Sequence, residues 1–222
     1  MEAPDSLACA AAGMRFQQAR LDAIAANLSN SNTPGYRALD SSGEFSTKLT
    51  AAQTSQGSLR PTGVATDLAL SGPGYFAVAA PDGVRYTRDG RLSVIGDTLR
   101  DLAGNALLGS LGPARFPHGA TIDTDGRIIS GGRVIDRLRI VDIGPGATRD
   151  AGGYSAPAGN ATIRRSTSQV RSGFLEDSGV NPLQEMTALV SAQRAFEADQ
   201  KAAQRADETL RRAVTDVPAV HA

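Results

Sequence analysis

The residues of this chain whose types could do chemistry are few: His118, His221, Cys9, the run Gly72-Pro73-Gly74 and the run Asp123-Thr124-Asp125-Gly126. A zinc hydrolase presents paired histidines as H-E-x-x-H on one helix, and His118 and His221 stand far apart with no such pattern. A lone cysteine excludes an internal disulfide and any multi-cysteine metal site. Cys9 has no local histidine to act as its base, and no serine occupies a G-x-S-x-G elbow. Gly72-Pro73-Gly74 lacks the later Gly-Lys-Ser/Thr of a phosphate loop and the third glycine of a dinucleotide fingerprint. Pro73 also removes one of the N–H donors on which such loops depend. Asp123-Thr124-Asp125-Gly126 imitates the middle of a calcium loop, but the first ligand position then falls on Thr121 and the twelfth on Gly132, so a hairpin turn is the better reading. The sequence offers no catalytic constellation, no cofactor fingerprint and no metal-ligand set, and no small-molecule substrate is expected.

With no reactive centre to position, the elements themselves carry the information. From Asp5 to Leu28 a heptad stripe runs through Leu7, Ala11, Met14, Gln18, Leu21, Ala25 and Leu28, which predicts a helix with a narrow apolar seam. Ser29-Asn30-Ser31-Asn32-Thr33 then competes for backbone hydrogen bonds, and Pro34-Gly35 suits the centre of a type II turn, so the helix should stop sharply. At the other end Asn181 can cap, Pro182 can take the first helical position and Glu185 lies in the first turn. A weaker seam follows through Met186, Leu189, Gln193, Phe196, Gln200, Ala203, Asp207 and Leu210 in a stretch rich in helix formers. Between the two, Gly and Pro rise and short alternating runs predict strands at Leu68 to Leu70, Tyr75 to Ala79, Arg85 to Thr87, Leu92 to Ile95, Arg127 to Ser130 and Leu138 to Asp142. Asp82-Gly83, Asp89-Gly90 and Asp125-Gly126 each suit the positive φ angles of a hairpin turn.

The expected fold class is α+β: a mainly β central domain flanked by N- and C-terminal helices that pair as a coiled coil. Both stripes cover about two positions in seven, narrower than a helix lying on a sheet needs, which favours helix pairing over packing on the β body. The expected divisions are an N-terminal helix and turn over 1–40, a polar linker over 41–60, a β-rich domain over 61–172, a C-terminal helical segment over 173–215 and a tail over 216–222. Ordering two dozen residues costs on the order of 1 kcal/mol each in backbone entropy, against about 2 kcal/mol for each of the few large seam residues. The terminal helices are therefore expected to be marginal alone and to order among copies of the same or similar chains.

The chain has 222 residues, of which 23 are Lys or Arg and 23 are Asp or Glu, so its net charge is zero. That balance gives no footprint for nucleic acid or anionic lipid, and no apolar run approaches the ~20 residues of a bilayer helix. Met1-Glu2-Ala3-Pro4-Asp5 is acidic, and the apolar stretch after it is cut by Gly13 and Arg15, unlike a Sec-type signal peptide.

Leu21-Asp22-Ala23-Ile24-Ala25-Ala26-Asn27-Leu28-Ser29-Asn30-Ser31-Asn32-Thr33-Pro34-Gly35-Tyr36 resembles the N-terminal block of the bacterial flagellar rod and hook axial proteins. Asp67 to Val78 and Tyr86-Thr87-Arg88-Asp89-Gly90-Arg91-Leu92 resemble that family's central β blocks, and Leu107-Leu108-Gly109 the end of the next. Gly173 to Pro182, then Glu185-Met186 and Ala192-Gln193-Arg194-Ala195-Phe196-Glu197, are similar to its C-terminal block. The short linker and the blocks over 112–117, 122–128 and 138–141 are most similar to the proximal-rod branch of the family, with the distal-rod branch close behind. The resemblance implies a non-enzymatic subunit of the flagellar basal-body rod, polymerising helically in the periplasmic space as a drive shaft for motility. It also implies partnership with other copies of itself and with other rod and hook subunits, and export through the flagellar type III apparatus without a cleaved signal. Carried onto this sequence, Leu7, Met14, Leu21, Leu28, Met186, Leu189, Phe196 and Leu210 would form the assembly interface. Asn27, Asn32, Pro34, Gly35 and Tyr36 would set the helix exit. The alternatives are a distal-rod or hook-type subunit of the same family, or a free β-rich binding module with incidental helices.

Overall fold

The computed structural model describes residues 3–39, 56–143, 148–149, 155–156 and 163–215, with helix side chains at 3–7, 210 and 213–215 outside that set. Helix α1 spans Ala3–Ser29 and helix α2 spans Pro182–Thr215. The start of α2 is capped by Asn181, whose Oδ1 accepts the N–H groups of Leu183 at 3.1 Å and Gln184 at 3.4 Å. Pro182 then opens the helix where no N–H is required. No helix among the described residues is long and apolar enough to cross a membrane.

Sixteen strands separate the helices among the described residues: β1 Leu59–Pro61, β2 Leu68–Ser71, β3 Tyr75–Ala80, β4 Gly83–Thr87, β5 Ser93–Ile95, β6 Thr98–Arg100, β7 Ala106–Leu107 and β8 Thr121–Ile122 come first. They are followed by β9 Arg127–Ser130, β10 Arg133–Arg137, β11 Ile140–Ile143, β12 Thr148–Arg149, β13 Ser155–Ala156, β14 Ile163–Arg165, β15 Gln169–Ser172 and β16 Phe174–Glu176. The largest sheet runs β12-β13-β4-β3-β7-β6-β5, and β11 branches from β3 to carry β14. Smaller sheets are β10-β9-β8 and the antiparallel pairs β15-β2 and β1-β16.

The fold is organised around β3, the run Tyr75-Phe76-Ala77-Val78-Ala79-Ala80. Phe76 and Val78 face a large core with Leu68, Leu70, Leu99, Leu107, Ile128 and Val170. Ala77, on the opposite face, joins a smaller cluster with Tyr86, Val141 and Ile143. A strand covered on both faces reads as a continuous apolar run, which is why this segment lacks the polar alternation of a surface strand.

The observed α+β order matches the expected fold class at that level: a helix at each end of a mainly β middle. Two local readings change. Asp89-Gly90 is not a hairpin tip: Gly90 has no positive φ, and a Cβ there would lie 1.6 Å from the Leu68 carbonyl oxygen. Glycine is required at 90 for close approach of two backbones, where Leu68 N–H donates to Gly90 O at 3.0 Å. The segment expected as C-terminal helix over 173–215 begins as β structure, because Phe174–Glu176 pairs with Leu59–Pro61 and the helix starts only at Pro182. Residues 41–55 of the expected linker and the tail 216–222 lie outside the described residues.

The chain divides into two compact units: α1 through Leu28, Leu39 and α2 in one, Ser29–Ala38 and the strands in the other.

Candidate functional site

In the helical unit the two helices meet at two points. Asn27 Nδ2 donates to Glu185 Oε1 at 3.1 Å, and a Cβ on Gly13 would lie 3.1 Å from Asp199 Oδ2. From Gly13 to Asn27 and from Asp199 back to Glu185 is the same fourteen residues, so the helices run antiparallel side by side over this span. Asn27 is fully buried and reads the backbone of Leu39 in both directions, with Nδ2 donating to Leu39 O at 3.0 Å and Oδ1 accepting Leu39 N–H at 2.7 Å. A carboxamide is the side chain that carries donor and acceptor together, which accounts for asparagine at this position.

The exposed positions of α1 are Ala8, Cys9, Arg15, Gln18, Asp22, Ala25 and Ser29, while Ala23, Ile24 and Asn27 are buried. The contact points Gly13 and Asn27 lie one residue before the expected seam positions Met14 and Leu28, a rotation of about 100° on the helix. Met14, Leu21 and Leu28 consequently sit half-buried beside the contact line. On α2, Ala192 is buried, Leu189 and Phe196 are half-buried, and Met186 is exposed together with Leu183 and Val190. The side chains of Leu7 and Leu210 lie outside the described residues.

In the β unit, the segment after α1 is held at every turn. Thr33 N–H donates to Asn30 O at 3.0 Å, and Tyr36 N–H to Thr33 O at 3.2 Å, closing a turn with Pro34 and Gly35 at its centre. Gly35 takes φ +67°, and a Cβ there would lie 2.4 Å from the Arg88 carbonyl oxygen, so both conformation and space demand glycine. Gly35 N–H donates to Glu176 O and Gly179 N–H to Tyr36 O, each at 2.8 Å, and Ser178 Oγ donates to Asn30 O at 3.0 Å. Tyr36 is buried, Pro34 is half-buried and Asn32 is exposed. The chain entering from α1 and the chain leading to α2 are therefore bound to each other within one body.

Behind this turn lies a charged pair that sequence reasoning did not single out. Arg88 Nε donates to Glu176 Oε2 at 2.9 Å, with side chains 1% and 2% exposed. Arg88 Nη1 also donates to Gly72 O at 2.9 Å and Gly74 O at 2.6 Å, and Nη2 to Gly72 O at 2.9 Å. Glu176 Oε1 accepts the Gly57 N–H at 3.2 Å. Burial pushes the Arg88 guanidinium below its ordinary pKa, Glu176 pulls it back up, and nearby Arg37 lowers it. The only signal for this pair lay in two separate motif blocks, Tyr86 to Leu92 and Gly173 to Pro182, with the partners 88 positions apart.

The remaining chemical candidates are engaged structurally. Asp123 Oδ1 accepts the N–H groups of Asp125 at 3.0 Å and Arg127 at 2.8 Å, and Arg127 pairs with both carboxylates, forming the turn between β8 and β9. No group of three or more His, Cys, Asp or Glu side chains among the described residues is placed to hold a metal ion.

Comparison with known proteins follows the same two regions. A family model described as "Flagella basal body rod protein" matches residues 7–37, and one described as "Flagellar basal body rod FlgEFG protein C-terminal" matches residues 171–216. The chain is 31% identical over 219 residues to the flagellar basal-body rod protein FlgF of Mesorhizobium japonicum, covering 87% of this chain and 89% of the relative. It is 34% identical over 203 residues to FlgF of Rhizobium meliloti, covering 80% and 83%. To the flagellar basal-body rod protein FlgG of Borreliella burgdorferi it is 28% identical over 251 residues, covering 90% and 94%.

Proposed function

The chain belongs to the family of flagellar basal-body rod proteins, and from that premise we propose that its terminal helices pair as a coiled coil and form the layer through which copies assemble. The protein is a structural subunit of the rod and not an enzyme; it resides in the flagellar basal body and interacts with other rod and hook subunits. The observation that carries the assembly reading is the disposition of the large apolar side chains. Small and polar residues, Gly13, Asn27 and Ala192, lie inward or at the helix contact, while Met14, Leu21, Leu28, Leu189, Phe196 and Met186 keep part of their surface open. Because most of these side chains are already half-buried, each contributes on the order of 1 kcal/mol when a neighbouring subunit completes its burial. The proposed interface also includes Leu7 and Leu210.

In this reading Asn27, Asn32, Pro34, Gly35 and Tyr36 set the helix exit. Subunits polymerise helically across the periplasmic space and reach it through the flagellar type III apparatus, and the chain serves as a proximal-rod subunit. Support for passage through a narrow channel lies in a chain with one cysteine and no disulfide to reduce. Leu21→Asp and Phe196→Asp test the assembly reading. Either variant should fail to enter isolated basal bodies while its β unit melts as in the parent; normal incorporation of either would refute the helix interface.

A further inference from the structure

Strand pairing in the β unit gathers arginines on one face of its branched sheet. Across the β11–β14 ladder Arg165 stands opposite Val141 and Ile163 opposite Ile143, and directly opposed residues share a face. Val141 and Ile143 cluster on that face with Ala77, whereas Leu138 and Ile140 belong to the larger core behind the sheet. Arg139 lies two residues before Val141, and its carbonyl accepts the Ala77 N–H at 3.1 Å, so the strand period puts its side chain on the face of Arg165. The two are diagonal neighbours, a spacing that long side chains bridge. Both are exposed, and with Arg137 they line a hollow of about 350 Å³.

The acids nearest in the chain are committed elsewhere. Asp125 pairs with Arg127, and only its backbone oxygen accepts the Arg137 Nε, at 3.1 Å. Asp136 is buried and accepts the N–H groups of Ser110 at 3.0 Å and Arg137 at 2.7 Å. Asp142 stands opposite Arg164, on the other face of the sheet. Arg139 and Arg165 make no side-chain ion pair among the described residues. Residues 29–38 and 50–180 hold fifteen arginines against twelve Asp and Glu, so the zero balance of the whole chain conceals a positive excess in the unit that carries this face. The rim of the hollow is aliphatic: Ile163 is 40% exposed, and Leu111, next to the hollow-lining Ser110, is 90% exposed. Leu111 belongs to a tight turn closed by Gly109 N–H donating to Gly112 O at 2.7 Å and held by the bond from Ser110 to Asp136, so its position is set before any partner arrives.

We propose that this face receives an acidic segment of a partner protein, with carboxylates on Arg139 and Arg165 and an aliphatic side chain against Ile163. A guanidinium presents paired N–H donors that match a carboxylate, and an anion held between two neighbouring guanidiniums relieves their mutual repulsion. The aliphatic rim favours a protein over a phosphate-bearing partner, because a phosphate group leaves Ile163 and Leu111 in water. In the assembled rod the acidic segment would come from a neighbouring subunit, and that clause alone rests on the reading of this chain as a rod protein.

The test titrates the full chain against a short fluorescent glutamate peptide bearing one central leucine. Binding is expected, and it should weaken as salt rises, because exposed charges are screened beyond about 8 Å at physiological ionic strength. The double variant Arg139→Gln with Arg165→Gln should lose about tenfold in affinity. Arg115→Gln with Arg133→Gln removes the same charge from exposed positions elsewhere in the unit and should lose less than about twofold. Ile163→Ser should weaken binding of the leucine peptide and leave unchanged that of the same peptide with serine in place of leucine. Equal losses from the two double variants, no binding of either peptide, or preferential binding of phosphatidylglycerol vesicles or inorganic phosphate overturns the proposal. These titrations use the isolated chain, and its recovery in isolated rods is scored separately, so failure of this face is distinguished from failure of the rod assignment.

Discussion

Replacing Arg88 by Met would remove one partner of a dry ion pair while roughly keeping its volume. The side chain is 1% exposed and supplies the ion pair to Glu176 together with three contacts to the Gly72 and Gly74 carbonyls. Breaking a buried pair from one side costs about 3–5 kcal/mol, because the remaining charge is left desolvated without compensation. For a chain of this size that corresponds to a fall in Tm on the order of 10 °C. The chain has four tyrosines and no tryptophan, so urea unfolding is best followed by tyrosine emission and near-ultraviolet dichroism. A second measurement reports locally: Gly35 N–H donates to the backbone oxygen of Glu176, and its hydrogen exchange should accelerate in Arg88→Met. The double variant Arg88→Met with Glu176→Leu should recover part of the loss by removing the stranded charge. It should not recover all of it, since the Gly72 and Gly74 carbonyls and the Gly57 N–H would still lack their partners. An Arg88→Met protein within about 1 kcal/mol of the parent, or a double variant less stable than the single one, would refute the view that this pair anchors the helix exit.

Gly35→Ala meets both a left-handed φ and the Arg88 carbonyl, and should destabilise the β unit by at least about 2 kcal/mol in the same urea titration. Asn27→Ala leaves both backbone groups of Leu39 and one Glu185 oxygen without their partner. Loss of about 2–3 kcal/mol is expected, seen as a lower midpoint in the far-ultraviolet dichroism of the helices, with the near-ultraviolet signal of the β unit less affected.

What was legible in the sequence, and what was not, divides by the range of the interaction. Local stop and start signals are carried by neighbouring residues: Pro34-Gly35 at the end of α1 and Asn181-Pro182 at the start of α2 appear where short-range sterics and capping put them. The central strand Tyr75–Ala80 was visible because burial on both faces leaves an unbroken apolar run. The line along which the helices touch was not visible. A heptad reading assigns the largest apolar residues to the contact, whereas Gly13 brings α1 close to α2 by having no side chain, and Asn27 is buried because it is hydrogen-bonded. Nor could spacing reveal Arg88 with Glu176, because the pairing of two distant blocks is made by the sheet and not by any local preference. Short strands such as Thr98–Arg100 and Ala106–Leu107 escaped for the same reason, being defined by their neighbours.

The binding of the exit turn to the segment ahead of α2 also has a mechanical meaning. Asn30, Gly35 and Tyr36 are tied to Ser178, Glu176 and Gly179, respectively, by three hydrogen bonds between two stretches of chain. Parting the two stretches therefore requires breaking all three bonds, so the segment after α1 and the segment before α2 should stay joined when either helix frays.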